Sequence, residues 1–185
     1  MGRRIHILGG SGSGTSTLAR VLATRLASQA FDADDFYWHP TDPPFQKKRA
    51  PAERLALMEA LFLPRSDWLL AGSISGWGDP LIPSLTHVVY LTLAPEARII
   101  RLRRRERQRL GRAILPGGPQ EQTHRAFLDY AMSYDFPDFP GRNRQKHELW
   151  MAELSCPVIR LDATPPPEKL ADQVIEALDP TRAEA

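Results

Sequence analysis

The chain has 185 residues, 42% of them hydrophobic and 25% charged, which excludes a disordered or collagen-like protein and suits one domain with at most a small insert. No apolar run approaches the eighteen residues of a membrane helix, and the apolar stretch after Gly2-Arg3-Arg4 stops at Gly9, too short for a secretion signal. One cysteine precludes an internal disulfide and leads us to expect a cytoplasmic protein with no membrane partner; a net charge of +2 excludes a blanket nucleic-acid binder, although 20 of the 24 cations are arginine.

Short apolar runs alternate with stretches of period 3.6, the pattern of a sheet with crossover helices. Arg4–Leu8 reads as the first strand. Leu18, Val21, Leu22 and Leu26 share one face of a helix over Thr15–Ala27. A short strand ends at Phe31-Asp32, and three prolines (Pro40, Pro43, Pro44) make Tyr37–Ala50 a loop. Pro51 opens a helix to about Phe62, with Leu55, Met58, Leu61 and Phe62 inward. Trp68–Ala71 and Val88–Leu93 read as buried strands. Pro95 opens the next helix, whose apolar stripe ends at Leu102, so its charged continuation from Arg103 is expected to run off the core into solvent. Pro116–Pro119 is a turn or hinge. Helices follow over Glu121–Tyr134 and near Arg142–Leu154, then a last strand at Pro157–Leu161 and a closing helix at Pro166–Leu178. We expect a single domain over 1–185 with a lid inserted at about 110–140.

The strongest motif is Gly9-Gly10-Ser11-Gly12-Ser13-Gly14-Thr15-Ser16-Thr17, which follows a strand and opens a helix, the context a phosphate-binding loop requires. Its glycines allow the backbone to turn amides inward as an anion nest, and the helix terminus adds its dipole. Gly10, Ser11, Gly12, Ser13, Gly14, Thr15, Ser16 and Thr17 are therefore candidate nucleotide contacts. A plain Gly/Ser turn would not need four glycines between a buried strand and a helix. A dinucleotide fingerprint fails because Thr15 and Thr17 stand where its last glycine belongs. Ser16 occupies the place of the magnesium-binding hydroxyl. Thr15 replaces the lysine of G-x-x-x-x-G-K-[ST], so the charge on the β- and γ-phosphates must be met by another cation.

Gly9–Leu18 resembles the loop of adenylate-kinase-related P-loop small-molecule kinases, among them the topology-modulation-protein group, shikimate kinases and gluconate kinases, with Lys changed to Thr. The resemblance implies an α/β, three-layer P-loop NTPase fold: a parallel five-stranded sheet flanked by helices, a small helical lid, and a phosphate site at the carboxyl ends of the strands. It also implies ATP as nucleotide, Mg²⁺ as cofactor, and phosphoryl transfer to a small-molecule acceptor.

Asp32 and Asp34, two apart at a strand end, point to one face in an extended chain, and with Asp35 they would repel unless a cation or donors share them. The resemblance places Asp32 with Ser16 near the metal and Asp34 near the acceptor hydroxyl, which it would orient or deprotonate. Asp35 faces the acceptor or caps a turn. The third strand ends in Ala71, so it supplies no further acid. Trp77 stacks on the acceptor or packs in the fold, and Arg49 holds an anionic acceptor group or is solvated. Arg98 to Arg112 holds eight arginines and one acid, Glu106. It resembles the lid-entry helix of adenylate kinase, which implies that Arg101 or Arg105 replaces the charge absent at Thr15. The competing readings are a solvated face and a nucleic-acid patch, the latter lacking interleaved aromatics. Two functional alternatives stay open: an ATP-binding regulator with weak ATPase activity, and a nucleic-acid-linked factor.

Overall fold

A computed structural model describes residues 2–179. Five strands, β1 (Arg4–Gly9), β2 (Ala30–Asp32), β3 (Trp68–Ala71), β4 (His87–Thr92) and β5 (Val158–Asp162), form one parallel sheet in the order β2-β3-β1-β4-β5. The helices are α1 (Thr15–Arg25), α2 (Ala33–Tyr37), α3 (Pro51–Leu61), α4 (Pro95–Leu110), α5 (Glu121–Met132), α6 (Arg144–Ala152) and α7 (Pro167–Leu178). Proline stands at the first turn of α3, α4 and α7, where its missing N–H costs nothing. The expected three-layer α/β fold is the one observed.

Alternation along β1 divides the core. Ile5 and Ile7 face α1 and α7, burying Leu18, Leu22, Leu170 and Val174 with Leu69 and Leu91. Leu8 faces the other side, where Phe36, Met58, Phe62, Trp68 and Trp150 close over Leu70, Val88 and Tyr90. The switch point between β1 and β3 therefore opens at the carboxyl edge beside the glycine loop, the usual ligand crevice of such sheets.

Three local expectations need correcting. Leu61 faces outward and is 52% exposed, because the inner face of α3 runs through Arg54, Met58 and Phe62 at intervals of four. The chain after Asp32 does not stay extended: Asp32 accepts a hydrogen bond from the Asp34 amide and caps α2. Nor does α4 leave the protein bare beyond Leu102. Ala131, Phe127 and Leu128 of α5 pack on Ile99 and Leu102, and the face Arg98–Leu102–Glu106 is buried while Ile100 is 66% exposed. Gly111–Ile114 and α5, joined through the Pro116–Pro119 turn, follow α4 and fold back against it. No helix among the described residues is long and apolar enough to cross a membrane.

Candidate functional site

The glycine loop lies between β1 and α1. Gly12 and Gly14 take φ of 87° and 100°, a left-handed backbone that favours glycine. At Gly12 a Cβ would also come within 2.6 Å of the Arg98 carbonyl oxygen, so a side chain is excluded twice. The Ser13 amide closes a turn on the Gly10 carbonyl at 3.0 Å, and the Gly14 carbonyl takes the Thr17 and Leu18 amides to start α1. Among the described residues the amides of Gly12, Gly14, Thr15 and Ser16 have no acceptor, and the buried Ser13 hydroxyl has no partner.

The acidic strand end meets this loop directly. Ser16 Oγ donates to Asp32 Oδ2 at 2.6 Å, while Asp32 Oδ1 holds the Asp34 amide. β2 pairs with β3 so that Asp32 lies opposite Ala71, and of these two positions only Asp32 carries a carboxylate. Asp34 is accessible, yet it sits in a recess. Withdrawal from water and the Asp32 charge raise its carboxyl above the ordinary value, and Arg142 pulls it back. Asp34, Asp35 and Arg49 line one cavity of about 390 Å³ with Trp38, His39 and Phe45. Arg49 spans it, donating toward His39 Nδ1 at 3.1 Å and to Glu53 at 3.2 Å.

Trp77 is not part of that wall. Its indole donates to the Ser73 carbonyl, and its ring packs edge-on against Tyr37 beside Arg54. Arg54 is itself buried, stacked 3.8 Å over Tyr37 with Nε on the Arg49 carbonyl.

The arginines of α4 divide by helical phase. Arg101 donates to the Ala163 carbonyl after β5 and passes 3.9 Å from the Cβ position of Gly14, beside the α1 terminus. Arg105 is bonded to Glu106 and lies over Phe127, joined to no loop residue. Arg98, only 1% exposed, donates to the carbonyls of Ser11 (3.2 Å) and Ala131 (3.0 Å) and forms an ion pair with Asp135. Asp135 also binds Arg144. The loop is thereby tied to the end of α5.

Two further contributors escaped the sequence reading. Arg142 precedes α6 and donates from Nη2 to Ser11 Oγ at 2.9 Å. Behind it runs a buried chain: Ser73 Oγ to His147 Nε2 (2.9 Å), His147 Nδ1 to the Tyr134 hydroxyl (2.8 Å), and that hydroxyl to Tyr90 (3.0 Å). Burial, with the nearby Arg142 charge, lowers His147 to about 3, and burial lowers His6 to about 4. Both histidines are neutral in the folded protein while the unfolded chain titrates near 6.5. Their stabilising contribution is complete above 6.5 and is lost as pH falls from there toward 4. Unfolding free energy should drop over that window with a slope nearing two protons, about 2.7 kcal/mol per pH unit. Urea titrations at several pH values check this, with His147→Gln expected to halve the slope.

The parallel sheet, the glycine loop on its central strand and the crevice beside it make up a P-loop α/β fold that is also found in solved small-molecule kinases. A gluconokinase from Sinorhizobium meliloti 1021 shares it with a TM-score of 0.55 at 16% identity, over 97% of this chain and 93% of that one. Shikimate kinase from Bacteroides thetaiotaomicron gives 0.52 at 16% identity over 96% and 98%. The shikimate kinase of Acinetobacter baumannii, solved in complex with shikimate, gives 0.52 at 17% over 95% and 92%. No protein-family model matches the chain. It is 40% identical over 178 residues to YqaC of Bacillus subtilis (strain 168), spanning 96% of this chain and 98% of that protein, and belongs to the same family.

Proposed function

We propose that this protein is an ATP- and Mg²⁺-dependent kinase acting on a small acceptor with a hydroxyl group and an anionic group. The observation that carries this reading is the pair of bonds at Asp32: one carboxylate fixes Ser16 on the phosphate side and the Asp34 amide on the acceptor side. The donor sets fit the ligands. Unpaired loop amides and a helix terminus suit a polyphosphate, and the oxygen-only pair Ser16 and Asp32 suits Mg²⁺. When bound, the metal supplies charge neutralisation at the phosphates.

The chain's own residues do the rest. Gly10 to Thr17 orient the polyphosphate, and Arg101, beside the Ala163 carbonyl, faces the nucleotide end of the α1 terminus. Asp35 and Arg49 hold the acceptor in the cavity, Arg49 meeting its anionic group, while Trp77 buttresses the wall through Tyr37 and Arg54. Asp34 accepts the proton of the acceptor hydroxyl as its oxygen bonds to the γ-phosphorus and the bond to the β–γ bridging oxygen breaks, releasing ADP. The segment 110–140 closes as a lid over the crevice and excludes water, with Arg105 carried on its entry helix.

Isothermal titration tests the binding half: MgATP should bind saturably and far more tightly than AMP. Phosphoryl transfer from ATP to hydroxy acids and sugar acids, read as ADP release, tests the other half. A second reading, an ATP-sensing regulator, is favoured by the missing lysine at Thr15 and the missing acid at Ala71. It predicts MgATP binding without acceptor-stimulated ADP release.

A further inference from the structure

We infer that Arg142 is the catalytic cation that stands in for the absent phosphate-loop lysine. The inference rests on the kinase reading above and deepens it. It begins from a deficit: at Thr15 the loop has a neutral hydroxyl where the sequence pattern provides a charge for the β- and γ-phosphates. Some guanidinium or ammonium with unused donors must then reach the loop from elsewhere.

The arginines near the loop differ in what they have left to give. Arg98 is consumed by two carbonyls and Asp135, and Arg144 by Asp135. Arg105 is held by Glu106, and Arg101 is anchored on the Ala163 carbonyl beside Gly14. Arg142 differs in where it is anchored. Its Nη2 donates to the hydroxyl of Ser11 in the loop itself, its Nε is buried without a partner, and no ion pair engages it among the described residues, whereas the one bond of Arg101 goes to Ala163 outside the loop. A buried, unsatisfied guanidinium edge is costly unless an anion completes it.

Its position matches the task. Ser11 is the third residue of the loop, and Asp34 is the acceptor-side carboxylate whose charge Arg142 favours. Arg142 therefore touches the loop that would cradle the polyphosphate and its charge is felt at the carboxylate that would meet the acceptor, so a phosphoryl group passing from one to the other would come within its reach. A planar fork can meet two of its equatorial oxygens at once. The backbone explains the reach. Asn143 caps α6 by accepting the Lys146 amide and donates to the carbonyls of Pro137 and Phe139, so Arg142 lies just outside the helix on a braced segment.

The test is charge relocation. Nucleotide affinity is measured by calorimetry for MgATP, MgADP and AMP in wild type, Arg142→Met, Thr15→Lys and the double variant, alongside turnover. Arg142→Met should weaken MgATP binding about 10- to 100-fold while leaving AMP within twofold, since only the phosphate-dependent part is lost. Thr15→Lys should recover at least tenfold of that loss when combined with Arg142→Met and add less than threefold in wild type. Arg142→Lys, which keeps charge but not the fork, should keep most of the affinity and lose turnover. An Arg142→Met variant that melts like wild type yet binds MgATP unchanged overturns the inference. So does a lysine at position 15 that rescues Arg101→Met but not Arg142→Met. Should Arg142→Met itself unfold, the double variant and Arg142→Lys decide. Failure of the kinase reading is distinct: wild type would then show no acceptor-stimulated ADP release, and the MgATP affinities of the variants alone would decide the role of Arg142 at the phosphates.

Discussion

Replacing Arg98 with methionine is expected to cost about 3 kcal/mol of folding stability, the low end of the range for stripping one partner from a buried ion pair. The reasons are local. Arg98 is 1% exposed, and its removal leaves the carbonyls of Ser11 and Ala131 without this donor. Asp135 is not abandoned, because Arg144 still binds it at 2.6 Å, which holds the cost to the low end. Lysine should not rescue, since one ammonium cannot span three acceptors on two segments. Urea unfolding gives the number. Arg103→Met, on the exposed face of the same helix, should stay within about 0.5 kcal/mol. If both variants unfold alike, Arg98 is merely one more surface charge. Affinity for MgATP should fall with Arg98→Met as well, because Arg98 pins the Ser11 carbonyl and its own carbonyl lies under Gly12.

That Arg98 went unseen in the sequence has a physical cause. In a run of eight arginines it reads as one charge among many, and periodicity scores only the apolar Ile99 and Leu102. The legible signal was the phase: Arg98, Leu102 and Glu106 fall four apart and share the face that α5 covers. The strands were plain by contrast, since short β-branched or aromatic runs between prolines and glycines admit few other conformations. The glycine loop was equally plain, because strand, four glycines and helix follow without interruption. Arg142 was illegible for another reason. Whether it begins α6 or precedes it decides where its side chain reaches, and that depended on Asn143 acting as the cap. Reading Asn143 as an N-cap would have freed Arg142 from the helix. Likewise α2 was hidden because Asp32 ends a strand and caps a helix at once, a double role that strand patterning does not record.

The Asp34 carboxylate is where the proposed chemistry should be most sensitive. Asp34→Asn is expected to lower kcat by about 10²- to 10⁴-fold, the span attributed to a positioned general base, or about 2.7–5.4 kcal/mol of barrier. MgATP affinity should stay within twofold, because Asp34 contributes its backbone amide, not its side chain, to the Asp32 contact. The isosteric amide keeps an acceptor for Trp38, so the fold should survive. The pH profile carries the stronger test. Burial raises the Asp34 carboxyl from its ordinary value, so kcat/KM should show an acid limb along which activity rises with pH as Asp34 loses its proton. Removing the opposing guanidinium with Arg142→Met should move that limb to higher pH, since the charged carboxylate loses a favourable positive charge. Neutralising Asp35, a lesser cause of the raised value, should move it slightly lower. Opposite displacements from these two substitutions would tie the limb to Asp34. Displacement in one direction, or none, would assign the limb to another group and remove Asp34 from the role of base.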